Sequence, residues 1–463
     1  MQNHQYRDPT RFTEFSTVDT TTIHPLAVMG LVVVLWFVLF GKRRSAVLWA
    51  TALLCFVPDG QRIVIMGIDF AFLRILALGL GIRVFMRKEI SPLRILPMDF
   101  VVLLFALWPL MAGISRGTDI PLVRLLGYGA DLLLIYLAGR ALIRNADDVR
   151  HLARGLVFIS IPVLFAFTIE KVTGRNFFSI FGGVSSITAV REGKVRVQGA
   201  FSHPILAGVW WSAVLPLILV LIWDPRKTND RMLGWFGVVS CILLVIMSAS
   251  STPLVGLGVA LMGALVFPYR RYLRPAWIAA VLCAFAIHMV HDLGVHHAVF
   301  AKFPGITGST GYHRYRLIDA CMNRVNEWFL VGADTSYHWG WGLDDVTCEY
   351  VRACLAGGIL QFMALAAIFL MSFWKVGSLM SRAPKSLVIA SYALALGVFV
   401  HMVCFIAVSY FGQILFLFWI NLGALQSVLD SRSRRMVTNE ETIVTRPRRP
   451  VEDSLRGVEM GRT

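Results

Sequence analysis

Long apolar runs alternate with short polar breaks along most of the chain. The runs fall at 24–40, 45–57, 63–85, 98–114, 124–143, 151–170, 205–223, 232–249, 253–269, 275–291, 350–374, 387–408 and 411–429. Most approach the ~20 residues a helix needs to cross a bilayer core. The pattern predicts an all-α polytopic membrane protein with 12 or 13 crossings, the 45–57 run being short enough to insert only partway. Residues 1–23 are polar and of mixed charge, and are expected to be mobile. They lack the basic stretch and small-residue cleavage site of a signal peptide. The membrane domain is expected over 24–429, and 430–463 reads as a disordered basic cytoplasmic tail. Neither a solenoid repeat nor an inverted repeat is visible.

Composition agrees with this pattern. Hydrophobic residues make up 57% of 463 and charged residues 16%, which argues against a soluble protein. The net charge of +16 could point to nucleic acid. However, the basic residues sit in short clusters at 42–44, 83–94, 140–154, 226–231, 270–274, 375–385 and 432–449, which alternation places on one side. They therefore read as cytoplasmic topology signals, and no nucleic-acid partner is expected. A second role in attracting anionic lipid or lipid-linked phosphate is compatible with this.

The other side then holds 58–62, 115–123, 250–252 and two long loops, 171–204 and 292–349. The first long loop is basic against the usual bias (Lys171, Arg175, Arg191, Lys194 and Arg196), so its charge reads as ligand chemistry. The second contributes most of a polar island over 308–358, carrying His313, Arg314, Arg316, His338, Asp344, Asp345 and Glu349. Loops this long are usually functional or disordered. Tyr312, Trp328, Tyr337, Trp339, Trp341 and Tyr350 argue against disorder.

Several charges interrupt the apolar runs. Asp69, Arg74, Asp131 and Glu170 are expected to pair between helices or to line a polar cavity. Arg116, Arg124 and Arg140 lie near helix ends and are expected to snorkel or anchor. Of the seven cysteines, Cys55, Cys241, Cys283 and Cys404 read as small core residues. A Cys321–Cys348 bridge is conceivable on an oxidising side. His288, His291, His296 and His297 resemble a ligand cluster but flank a helix end, and no obligatory metal or cofactor is expected.

The stretch from Arg191 through Arg196, Gly199, His203 and Pro204 runs directly into an apolar helix. An R-x-x-G-x-x-x-x-P pattern before such a helix resembles a signature of the O-antigen ligase and Wzy-type polysaccharide polymerase superfamily. The later stretch is similar as well. Arg314 or Arg316 opens an amphipathic segment, Gly340-Trp341-Gly342 gives a turn, and Tyr350-Val351 with Gly358-Ile359-Leu360 gives the end. The resemblance covers about 63–429. It implies a GT-C-like membrane fold in a bacterial inner membrane with a periplasmic active face. It also implies a donor glycan on undecaprenyl pyrophosphate and an acceptor glycan or lipid. In register with Tyr350, the family's His falls on Thr347 and its Asn on Cys348.

Such a transfer needs positive charge for the departing pyrophosphate, which Arg191, Arg196, His313, Arg314 and Arg316 can provide. It needs a base, for which His338, Asp345, Glu349 and His203 are the candidates, with His313 a further one. Trp339 and Trp341 offer flat faces as a sugar platform. Gly308-Ser309-Thr310-Gly311 feeding a helix is a further candidate anion site. The alternatives are a transporter of polysaccharide or lipid-linked oligosaccharide, which should show mid-helix charges and paired broken helices, and a non-catalytic scaffold.

Overall fold

The computed structural model describes residues 21–66, 68–90, 93–290, 309–380 and 383–445. Among these, nine helices are long and apolar enough to cross a membrane. The architecture is therefore an all-α, multi-pass membrane fold with almost no sheet.

The first two helices are short and close to their expected runs at 24–40 and 45–57. α1 is Pro25–Phe40 and α2 is Arg43–Phe56, with 16 and 14 residues. The expected run at 63–85 is not one helix. Its first part folds into an antiparallel hairpin, β1 (Arg62–Ile65) with β2 (Ile68–Ala71), before α3 (Phe72–Met86). The β-branched sequence Arg62-Ile63-Val64-Ile65 suits a pleated strand better than a helix. The expectation of 12 or 13 crossings thus becomes nine full-length candidates plus shorter helices at the expected positions.

The long helices follow in order. They are α4 (Pro97–Arg116), α5 (Leu122–Leu142), α6 (Ala146–Thr173), α7 (Pro204–Trp223), α8 (Asp230–Met247) and α9 (Ser251–Val266). After α10 (Leu273–Val290) come the amphipathic α11 (Ser309–Asn323) and the single turn α12 (Val325–Trp328). The bundle closes with α13 (Glu349–Leu379), α14 (Lys385–Cys404) and α15 (Gln413–Thr445). Part of the stretch expected to be a disordered tail from 430 is therefore helical as far as Thr445.

Local signals fix the ends. Asn145 caps α6 by accepting from the Asp148 N–H, and Gly174 ends it in a left-handed conformation at φ +66°. α7 opens with Pro204 in its first turn. α7, α14 and α15 are the buried helices of the bundle, with Trp210 and Trp211 of α7 enclosed completely. α5 and α15 approach closely because Gly139 and Gly423 face each other's backbones, leaving no room for a Cβ.

α13 is broken. Gly357 and Gly358 leave helical geometry, Gly358 at φ +67°. Three carbonyls at the break find donors outside the helix: Leu355 O accepts from Ala333 N, Ala356 O from Arg116, and Gly357 O from the Trp108 indole. A short half-helix carrying Glu349 and Arg352 is thereby set apart from the span that follows.

The two faces differ. At one, ion pairs tie loop ends together: Arg43 and Arg44 to Asp148, Arg83 to Glu89, Arg140 to Asp99, Arg150 to Asp224, and Arg154 to Asp230. Arg140 is buried there rather than snorkelling. Arg116 likewise pairs with Asp334 at the other face. That other face, here the loop face, carries 174–203, 309–348 and 405–412. Asp69 lies on its hairpin rather than within a span, pairing with Arg62, while Arg74 pairs with Asp131 of α5.

Candidate functional site

On the loop face, residues 190–195 form a second hairpin, β3 (Val190–Arg191) with β4 (Lys194–Val195). Its turn places Glu192 and Gly193 at φ +53° and +72°, the positive-φ pair that a two-residue hairpin loop requires. Glu170 anchors the segment. Its carboxylate is buried at the end of α6 and accepts from Gln198 N, Gly199 N and the Thr188 hydroxyl at 3.1, 2.9 and 3.2 Å. Glu170 therefore holds the chain between the hairpin and α7.

This anchoring presents Arg196 to the start of α9. Its Nη2 donates to Ser250 Oγ at 2.7 Å, while its Nε is buried without a partner among the described residues. Ser250 precedes α9 but makes no side-chain cap, so the N–H groups of Ser251 and Thr252 in its first turn are not capped by that side chain, and Pro253 has none to cap. From the other side, α11 brings Arg314 to the same place. Arg314 donates to Thr252 Oγ1 at 3.2 Å and to the Ala407 carbonyl at 3.0 Å. Burial lowers the pKa of both arginines below the ordinary value, and the charge of Arg191 lowers each further. Arg191, Arg196 and Arg314 thus converge from two segments far apart in sequence.

The partners of the buried arginines set this place apart. Among the described residues four arginines are buried: Arg83, Arg140, Arg150 and Arg314. Three carry a carboxylate, Glu89, Asp99 and Asp224 respectively. Arg314, 5% exposed, has only neutral acceptors there. A buried guanidinium without a counter-charge is costly, and an anion entering beside it relieves that cost.

His203 borders the cluster as the residue capping α7. Its Nδ1 accepts from Ile205 N at 3.1 Å, which leaves the ring proton on Nε2. Burial and the Arg196 charge push its pKa down to about 4. It is therefore a neutral hydrogen-bond donor at neutral pH, and in this tautomer it has no free lone pair with which to act as a base.

α11 divides the remaining residues by face. Residues two apart on a helix point apart, while residues three apart share a face. His313 and Arg316 accordingly meet the 340–342 turn rather than the Arg314 side. His313 Nε2 donates to the Gly342 carbonyl at 2.8 Å, and its Nδ1 lies 3.5 Å from the Thr347 hydroxyl. The position where the resembled family carries a His is thus met by an imidazole from another element. Arg316 packs on Gly340, its Nη2 2.9 Å from where a Cβ would stand.

The other candidates lie elsewhere. His338 contacts Glu327 Oε2 at 2.7 Å, and Glu327 also accepts from the Trp339 indole and Arg324. These bonds, that from His338 first, pull the Glu327 carboxyl down to about 2. Trp339 is buried with Leu317, Cys321, Trp328 and Leu343, so neither ring face is open to a sugar, whereas Trp341 is 92% exposed. Glu349 is buried. It binds Arg352 through both oxygens and also accepts from Tyr410 N at 2.9 Å, so it is committed to structure rather than free as a base. Asp345 is exposed and has no hydrogen-bond or ion-pair partner among the described residues. Cys321 and Cys348 share one apolar cluster as free thiols, without a bridge. The His288, His291, His296 and His297 group lies outside the residues whose side chains are described, as does Gly308.

Sequence reasoning missed Ser250, Thr252 and the 405–412 turn. The run Ser248-Ala249-Ser250-Ser251-Thr252 was a usable signal. It is a hydroxyl-rich break feeding a helix, the same pattern that drew attention to 308–311. No family model matches this chain, and no curated protein or solved structure matches it either.

Proposed function

We propose that this protein is a membrane glycan polymerase or ligase that transfers a polysaccharide unit from an undecaprenyl-pyrophosphate donor to an acceptor hydroxyl. The carrying observation is Arg314, a buried arginine with no carboxylate partner among the described residues, joined by Arg196, Arg191 and the N-terminus of α9. This arrangement suits a diphosphate, whose charge it balances and whose oxygens match guanidinium geometry. In the reaction the acceptor oxygen attacks the anomeric carbon, and the bond from that carbon to the pyrophosphate oxygen breaks. The arginines hold the leaving pyrophosphate. His313 takes the acceptor proton at Nδ1, because its Nε2–H is spent on Gly342 O and fixes the tautomer. His203 donates Nε2–H beside the same charge, and Trp341 offers an exposed ring to the sugar. The active face is then periplasmic in a bacterial inner membrane.

A transporter is the second reading, and the break in α13 is what favours it. Among the described residues no other helix shows non-helical backbone inside, whereas transporter halves would carry such breaks in pairs.

Protein in lipid nanodiscs is incubated with an undecaprenyl-pyrophosphate oligosaccharide while glycan length and released lipid pyrophosphate are followed. The expected result is a lengthening ladder, or transfer to a second acceptor. Arg196→Ala and Arg314→Ala should each lower turnover by about 10²–10³. In vesicles, movement of the intact lipid-linked sugar with no bond exchange would transfer the assignment to the transporter.

A further inference from the structure

The chain that leaves α12 does not stand off the bundle. It is bonded into the break of α13 and to the end of α4. Phe329 O accepts from Ile359 N at 2.7 Å, and Ala333 N donates to Leu355 O at 2.9 Å. Arg116 Nη1 donates to Val331 O at 2.6 Å. Leu330 O lies against Gly358, 2.6 Å from where a Cβ would stand. The non-helical backbone at Gly357 and Gly358 is what opens α13 to these contacts.

Both spans give the depth of the turn. Lys375 of α13 lies within electrostatic reach of Asp99 and Arg140, the ion pair at the opposite face. From that level, equal stretches of helix rise to Gly358 on α13 and to Arg116 on α4. Each stretch is about 26 Å at ~1.5 Å per residue. Helix tilt lowers that height, and a hydrocarbon core is ~30 Å thick. Residues 329–332 therefore sit at the loop-face edge of the core rather than above it in water.

Backbone and side chains divide there. Besides the bonds above, Phe329 N donates to Val325 O and Gly332 N to Trp328 O, both at 2.9 Å. The side chains of Phe329 and Leu330 turn outward instead, 43% and 74% exposed. Irregular backbone persists at membrane depth where protein satisfies its polar groups, and apolar side chains exposed at that depth face acyl chains. The spans that hold the turn continue the same kind of surface, with Met111 and Ile114 exposed on α4 and Leu360 and Met363 on α13. Trp328 points the other way, buried with Leu317 and Cys321 of α11, so what holds the turn also holds α11.

From this placement we infer that residues 325–332 form a re-entrant turn whose Phe329 and Leu330 side chains are anchored among lipid acyl chains, and that this anchor moors α11 to the bilayer. Continuity with the apolar surfaces of α4 and α13 makes the occupant lipid. On the proposed function, the mooring holds Arg314 and His313 near headgroup height, where a lipid-carried pyrophosphate lies. The anchor itself does not rest on that reading.

The test places a nitroxide label through Leu330→Cys on the full chain in nanodiscs. Cys283→Ser removes the exposed native cysteine, and the other six are buried. Collision of the label with dissolved oxygen, which concentrates among acyl chains, is compared with collision with a water-soluble nickel chelate. Met363→Cys supplies the lipid standard and Asp344→Cys, at an exposed loop position, the water standard. The label at position 330 is expected to favour oxygen over nickel as the one at 363 does, the reverse of 344. Thermal unfolding checks each variant, and Phe329→Cys carries the test where Leu330→Cys does not fold. Nickel access equal to that at 344 would make the turn a loop in water, and poor access to both reagents would mean that protein covers it. Either result overturns the anchor. Absence of glycan transfer with the label still in lipid would instead count against the transferase reading alone.

Discussion

At the scale of single residues, His203 reports on the site most directly. Burial and Arg196 depress its pKa from 6.5 to about 4. The sign follows from proton counting. Between pH 6.5 and 4 the unfolded chain binds a proton that the folded chain refuses. Its contribution to stability is thus present above 6.5 and lost as pH falls through 4. An anion beside Arg196 cancels the charge that helps depress His203. An NMR titration of the imidazole should therefore show its pKa rising on addition of pyrophosphate, and also in Arg196→Ala. No movement with saturating pyrophosphate would place the anion elsewhere. Arg314→Lys should not restore the site, because an ammonium cannot reach Thr252 and Ala407 with one planar fork.

Among the elements, the broken α13 shows what apolar periodicity conceals. The run 350–374 reads as one span, because Gly357 and Gly358 leave its hydrophobicity unchanged. The break depends on tertiary partners: Trp108, Arg116 and the 329–334 backbone. At Gly358 a Cβ would stand 2.5 Å from Phe329 O and 2.6 Å from Leu330 O, in a left-handed conformation. At Gly342, φ +76°, a Cβ would meet nothing within 4 Å. Gly342→Ala should therefore cost only the conformational strain of ~1–2 kcal/mol, and Gly358→Ala clearly more, as thermal unfolding in nanodiscs would show. Equal melting points for the two would mean that α13 can straighten. The same logic explains which parts of the site were legible. Arg191, Arg196 and Arg314 stood out as cations in stretches where topology gave no reason for them. Trp339 and Glu349 looked equally available, yet one is folded into a small core and the other committed to Arg352. Burial and pairing of that kind are set by contacts between distant segments, which spacing does not record.

For the whole molecule, ion pairing and ligand chemistry separate by face. The face opposite the loops is fastened by carboxylates that serve several cations. Asp148 is the extreme case, taking Arg43 and Arg44 and also accepting from the Arg144 backbone N–H, while nearly wholly buried. Removing one partner from such a group leaves uncompensated charge and costs ~3–5 kcal/mol. The loop face has pairs too, but among the described residues it also keeps Arg314 and Arg196 without carboxylates, which costs stability and on the proposed reading serves an anion. The two kinds of arginine should respond in opposite ways. Asp148→Ala should lower the unfolding temperature while leaving pyrophosphate affinity as in wild type. Arg314→Met should abolish that affinity, yet leave the protein as stable or more stable, since it removes a buried charge that no carboxylate balances among the described residues. Paired measurements of unfolding and pyrophosphate binding on the two variants decide the matter. If Arg314→Met unfolds as readily as Asp148→Ala, Arg314 is a structural tie for α9 and the 405–412 turn rather than a charge held in wait for a ligand.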